Sequence, residues 1–358
     1  MGDHPYKHRP DYCFWRPSIA ATDFRTVDPV VRGKFKLGKN HKIATAGSCF
    51  AQHIARYLQI AGYNYFVVER PHPAFAGWFT DDYNYGTFSA RFGNLYTSRQ
   101  LLQLLERAYQ LFCPFEDVWT NESGRFVDPF RPQIQPGGFS SIKELQLDRK
   151  QHFSAVRTMV EELDVFVFTL GLTEAWVGRD DGAVLPLCPG VAGGIFDGAK
   201  YEYRNFSVSD VTSDLRNAID FIQDRNPRAR FILTVSPVPL VATMEDRSVL
   251  VSTAYSKAVL RVAADVVANE SDSIAYFPSF EIITGQHAGN TYFEPDLRSI
   301  RPDGVAHVMG LFAKHYLDDG ENSDEKPDSA IDEQMANHRQ RMTDLAKLIC
   351  EEESLNRQ

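Results

Sequence analysis

The stretch HKIATAGSCFAQHIARYLQIAG, residues His41 to Gly62, decides how the chain is read. Ile43-Ala44-Thr45-Ala46 is a short apolar run with two β-branched residues, which predicts a buried strand. Gly47-Ser48-Cys49 interrupts it. Phe50, Ile54 and Leu58 then recur at helical spacing, and Gly62 stands where a helix-terminating glycine belongs. A strand, a tight Gly-Ser turn and a helix together lift a hydroxyl above a sheet edge. They also aim a helix N-terminus, with its N–H groups and partial positive charge, at whatever that hydroxyl attacks. Ser48 fits two roles in such a turn, nucleophile or helix N-cap. Cys49 is a rival nucleophile, because a helix N-terminus lowers a thiol pKa. The residue after a nucleophile in this geometry points into the sheet, however, which predicts a small packed thiol.

Working outward, residues 1–40 are rich in Pro, Arg and aromatics (Tyr12, Phe14, Trp15, Phe24) without a period, and read as an arm wrapped on the domain. Tyr63 to Val68 predicts a second strand. Irregular insertions follow at about 69–97 and 112–140, separated by a helix that Ser98 opens. Loops of this length in a compact domain are usually functional. A helix from about Lys143 to Leu163 leads into Val165-Phe-Val-Phe-Thr-Leu170, the most apolar run and the expected central strand. Ala175 to Leu187 reads as a hairpin about Asp180-Asp181-Gly182. Helices at 209–225 and 248–269 alternate with strands at 230–235 and 274–277, and Pro302 opens a last helix ending near Tyr316. The expected fold is a three-layer α/β/α domain over 41–317 with a mainly parallel five-stranded sheet. Beyond it lie an acidic linker, 318–330, and an amphipathic helix, 331–352. There Ile331, Met335, His338, Met342, Leu345 and Ile349 form a heptad seam. Docking on its own domain and pairing into a homodimer both fit that seam.

The 358 residues carry a net charge of −9, and 43% of them are hydrophobic. Such a chain can build a large core and presents no basic face for nucleic acid. Five scattered cysteines without a C-x-x-C pair predict reduced thiols rather than disulfides or a zinc site. With no apolar leader and no membrane-length run, the expectation is a cytoplasmic protein. No metal-ligand spacing and no glycine-rich phosphate loop stand out, so no cofactor is expected.

Gly47-Ser48-Cys49-Phe50-Ala51, Thr169-Leu-Gly-Leu-Thr-Glu-Ala-Trp176, Thr234-Val-Ser-Pro-Val-Pro-Leu240 and Tyr276-Phe-Pro-Ser-Phe280 occur in this order. Together they resemble the GSCFA family, a branch of the SGNH/GDSL-like hydrolases. The resemblance covers roughly residues 35–317 and implies an SGNH/flavodoxin-like fold and a serine hydrolase or acyltransferase acting on ester bonds. Its favoured substrate class is an acylated small molecule or carbohydrate. Trp78, Tyr83, Tyr85 and Trp119 in the insertions are candidates for stacking on sugar rings. Ser48 is then the nucleophile. Gly86, in Asn84-Tyr85-Gly86-Thr87, resembles the family's glycine block and would offer a backbone oxyanion donor.

Related hydrolases place an asparagine donor where this chain has Thr173 and Glu174. A threonine hydroxyl can donate, whereas an ionised glutamate cannot. Both residues also fit a simple turn cap. Where the resemblance calls for an aspartate followed three residues later by a histidine, the chain has Asp296 and Ser299. Serine is no general base near neutral pH. His287 and His307 are the nearest imidazoles, and His307, oriented by Asp296, is the preferred candidate. The other reading is a glycan-binding module that keeps the cleft without catalysis.

Overall fold

The computed structural model describes residues 4–73, 82–318 and 354–355. The amphipathic 331–352 segment, the 319–330 part of the linker and Trp78 lie outside the described residues. The chain divides into two compact units, one containing Lys39–Tyr276 and residues 354–355, the other joining residues 4–38 with 277–318. In chain order the elements begin with β1 (Ile43–Gly47), α1 (Ala51–Ile60), α2 (Ser98–Ala108), β2 (Trp119–Thr120), β3 (Phe126–Val127), α3 (Ile142–Glu162) and β4 (Val165–Leu170). They continue with β5 (Glu174–Gly178), β6 (Val184–Leu185), β7 (Tyr201–Asn205), α4 (Val208–Gln223), β8 (Arg230–Val235) and α5 (Val249–Ala268). The last are β9 (Ile274–Phe277), α6 (Ser279–Thr284) and α7 (Pro302–Tyr316).

The main sheet has the order β1-β4-β8-β9. Strand β1 runs parallel to β4, which runs parallel to β8. Every residue of β1 and β4 is buried, as strands covered on both faces require, and this is why their sequences are apolar without alternation. Helix α1 packs on β1 and α5 on β8, while α4 lies against both α2 and α5. The α/β expectation therefore holds, with one correction: the sheet has four strands, not five. Tyr63–Val68 makes a single bridge, Tyr65 to Ile43, and then leaves. Further along β1 the Thr45 N–H donates to Ser89 Oγ at 3.0 Å. A side chain thus closes the edge on which another strand would have continued.

The expected hairpin is present as β5 and β6, but β5 also pairs antiparallel with β7, giving a three-stranded β6-β5-β7 sheet. Trp119 is buried in a cluster with Val127, Leu185 and Tyr201. Gly194 lies so close over its indole that a Cβ there would sit 2.9 Å from the ring. Trp119 is therefore a core residue and unavailable for sugar stacking.

Buried charge ties both insertions to α3. Arg91 donates to Asp148 at 2.9 Å, and Arg131 to Asp148 at 2.7 Å and to Asp128 at 3.0 Å. Arg149 reaches Asp128 at 3.3 Å and also pairs with Asp117. His152 Nδ1 meets Glu69 Oε2 at 2.8 Å, and the same oxygen accepts the Arg91 N–H at 2.7 Å. Burial opposes ionisation of Glu69. The His152 ring, the Arg131 guanidinium and the Arg91 N–H outweigh it and hold the carboxyl down at about 2.

In the other unit, α7 buries Val305, Val308, Met309, Phe312 and Tyr316, the stripe its sequence period predicts. The N-terminal arm packs on it. Leu37 bridges Leu317, Phe35 meets the Tyr316 ring edge-on, and Asp28 accepts from Lys314 at 2.9 Å and His315 at 2.7 Å.

Truncating one member of a buried ion network leaves its partners uncompensated. Asp128→Asn is accordingly expected to cost about 3–5 kcal/mol in urea unfolding, and a loss below about 1 kcal/mol would show that the network does not hold the insertions. Glu69 has its folded pKa depressed from 4.5 to about 2. Its contribution is therefore complete above the unfolded value and is lost as pH falls from there through the folded one. Glu69→Gln should flatten the acid limb of the stability curve over that window.

Candidate functional site

The turn after β1 is shaped by close backbone contact. Gly47 adopts φ +131°, and a Cβ on it would overlap the Thr169 carbonyl. Ser48 N–H donates to that carbonyl at 3.0 Å, so the chain is held on the end of β4 before α1 begins. The Ser48, Cys49 and Phe50 carbonyls accept from the N–H groups of Ala51, Gln52 and His53, winding the first turn. Ser48 is thus no side-chain cap: its Oγ is buried and has no hydrogen-bond partner among the described residues. Thr169 Oγ1, in the register position paired with Gly47, is in the same condition. Cys49 is 4% exposed, a packed thiol as expected.

On the facing strand end, Gly171 makes room for the serine, since a Cβ there would stand 2.8 Å from Ser48 Cβ and 3.2 Å from the Tyr96 carbonyl. The N–H groups of Gly171 and Leu172 both donate to Tyr96 O, at 3.0 and 2.9 Å. The Gly171 carbonyl accepts from Lys257 Nζ at 2.7 Å. Lys257 is buried on α5. The sequence reading missed it, although a lone lysine on the apolar inner face of Val249–Ala268 was the available signal.

Thr173 is fully buried, its hydroxyl donating to Asn205 Oδ1 at 2.7 Å and its N–H to Ser256 Oγ at 3.1 Å. Asn205 passes the chain on to Glu245 at 3.0 Å. Glu174 accepts from Thr243 Oγ1 at 2.7 Å and from the Met244 N–H at 3.3 Å. Burial first, then the charges of Glu174 and Glu245, push the Tyr203 phenol well above its ordinary value. Gly86 adopts φ +80°, with open space where a Cβ would be, and its carbonyl accepts from Gln59 of α1 at 3.2 Å. His53 packs edge-on against Phe50, and burial pushes it down to about 3.

In the other unit, Asp296 closes its own turn. Oδ1 accepts the N–H groups of Arg298 and Ser299 at 2.9 Å, and Oδ2 the Ser299 hydroxyl at 2.6 Å. Burial works against its charge, but these donors hold the carboxyl below the usual range. Ser299, which stands where a histidine was expected, is thus the partner of Asp296. His307 Nδ1 instead meets the Tyr292 hydroxyl at 2.7 Å, while Nε2 is buried without a partner among the described residues. Burial lowers the pKa of His307, and the nearby His287 lowers it further. Tyr292 is a second residue the sequence reading missed.

The sequence model of the GSCFA family matches residues 42–312. The chain belongs to the GSCFA family. Membership points to a hydrolase-like enzyme and leaves its specificity open. No curated protein and no solved structure matches the chain. Among the described residues no group of three or more His, Cys, Asp and Glu is placed to hold a metal ion. No described helix is long and apolar enough to cross a membrane.

The contact between Ser48 and Gly171 has a direct consequence. Gly171→Ala adds a methyl group where no volume exists and is expected to cost about 1–3 kcal/mol in denaturant unfolding. A variant as stable as the wild type would mean that Ser48 is free to move aside.

Proposed function

We propose that this GSCFA protein is a serine-dependent esterase or O-acyltransferase of the SGNH type, acting on an acylated carbohydrate through an acyl-enzyme on Ser48. The observation that carries the reading is the unpartnered Ser48 hydroxyl on the Gly47 turn, at the start of α1. Buried hydroxyls are normally hydrogen-bonded, and an orphan calls for an explanation. A nucleophile kept without an acceptor is one.

In this reading Ser48 Oγ attacks the acyl carbon and its proton passes to a general base. The positive end of α1 favours the oxyanion. Gly86 N–H and Thr173 Oγ1 are the assigned donors, and Thr173 must release Asn205 to act; the Ser48 N–H, also expected to donate, is taken by the Thr169 carbonyl. Glu174 serves substrate hydroxyls as an acceptor. The base is His307, which burial keeps neutral, with Nδ1 held by Tyr292. Asp296 supports it through the turn closed with Ser299 that precedes α7. Water then resolves the acyl-enzyme in hydrolysis, or a sugar hydroxyl in transfer. The rival reading, a non-catalytic glycan-binding module, is favoured by the Asp296–Ser299 pair, because a carboxylate bonded to serine drives no proton transfer.

Fluorophosphonate labelling separates the two. The wild type and Cys49→Ala are expected to label and Ser48→Ala to stay blank, while His307→Ala labels about 100-fold more slowly or worse. Because burial places the His307 pKa below 6.5, the wild-type rate should be flat above that pH and fall only below the lowered pKa, where the base is protonated. A wild type that never labels, yet retains acetylated oligosaccharides in a pull-down, would decide for the binding module.

A further inference from the structure

Helices α2 and α3 and both insertions line a cavity of about 20 Å³, with Gln100, Arg107, Phe130, His152 and Phe153 among its walls. That is more room than one water needs. Arg107 is 6% exposed, and its guanidinium lies 3.6 Å from the centre of the Phe130 ring and 5.2 Å from that of Phe153. Among the described residues no carboxylate or carbonyl accepts from its N–H groups. The Asp128 carboxylate is already engaged by Arg131 and Arg149. Burial pushes Arg107 down to about 9, with Arg149 and Arg131 adding to the shift and Asp128 and Asp117 opposing it.

The other polar groups of the cavity are incomplete in a complementary way. His152 gives its Nδ1–H to the ionised Glu69, so Nε2 carries a lone pair, and this atom is buried without a partner among the described residues. Gln100 Oε1 accepts the Thr97 N–H at 2.9 Å and the Thr97 hydroxyl at 3.2 Å. Its amide NH₂ has no acceptor among the described residues. The cavity therefore presents a guanidinium fork, an amide donor and one acceptor nitrogen, beside Gln103 and Arg131, whose side chains are engaged by Gly182, Val184, Asp128 and Asp148. Its remaining walls include Phe92, Leu95 and Leu104.

We propose that this cavity binds a small carboxylate that also bears a hydroxyl, of the size of hydrogencarbonate or glycolate. The carboxylate takes the Arg107 fork in two parallel hydrogen bonds and accepts from Gln100, and the hydroxyl donates to His152 Nε2. Water brings no charge to this set. Chloride and formate bring charge but no donor for His152. The assignment is independent of the role given to Ser48.

The full-length protein is titrated in mildly alkaline buffer with sodium hydrogencarbonate or sodium glycolate, ionic strength being held with chloride, and Tm is followed. At least one of the two is expected to raise Tm saturably, with formate weaker by about tenfold or more. Arg107→Met, which keeps an apolar stem between the two rings, should abolish the response. His152→Phe should make formate and glycolate equal. Should either variant fail to fold, ¹³C-labelled hydrogencarbonate or glycolate on the wild type gives the answer, as line broadening reversed by unlabelled ligand. No saturable response to either hydroxy-carboxylate, or a response to formate as strong as that to glycolate and hydrogencarbonate, overturns the proposal.

Discussion

The backbone of Gly47 presses on the carbonyl of Thr169, and the geometry of the Lys39–Tyr276 unit follows from that contact. A Cβ at residue 47 would collide with the carbonyl, and the +131° φ angle is one that residues with side chains rarely adopt. Glycine lets the ends of β1 and β4 close together, and Ser48 N–H then locks the turn onto β4. Gly171 repeats the device from the opposite side, giving up its own side chain to seat that of Ser48. Two absent side chains thus leave one hydroxyl at the junction of two parallel strands and a helix start.

The insertions are organised by a different force. Sheet and helices bury apolar surface, which is non-directional. The loops around Arg91 and Arg131 are held by charge pairs that require particular distances and angles. Such pairs contribute little net stability once desolvation is counted, but they discriminate strongly against wrong arrangements. Loops of this kind are consequently not modular. Removing one strands arginines belonging to the other.

How far the sequence could be read depends on the range of the interaction involved. The α7 stripe and the β4 run were legible, because period and composition are local properties. The Cys49 prediction also held, since the turn itself sends that side chain inward. The expected fifth strand did not form because Ser89, 44 positions from Thr45, occupies the edge. Strand β7, Tyr-Glu-Tyr-Arg-Asn, carries too much charge to announce itself and exists through its pairing with β5. Trp119 read as a surface aromatic, yet Gly194, 75 positions later, lets the backbone cover it. At the candidate site, Gly47 and Ser48 were visible from the local pattern of strand, turn and helix. Lys257 on Gly171 and Tyr292 on His307 were not, because both are tertiary hydrogen bonds.

The Lys257–Gly171 hydrogen bond gives α5 a mechanical part. It joins a 20-residue helix, about 30 Å long, to the carbonyl next to the serine's seat. Well-packed interiors are stiff and transmit strain rather than absorbing it. The outward side of α5 is also unusually greasy, with Leu250, Val251, Val262 and Val266 in solvent. The helix that carries this exposed apolar surface is thus anchored by one buried lysine to the carbonyl of the glycine that seats Ser48.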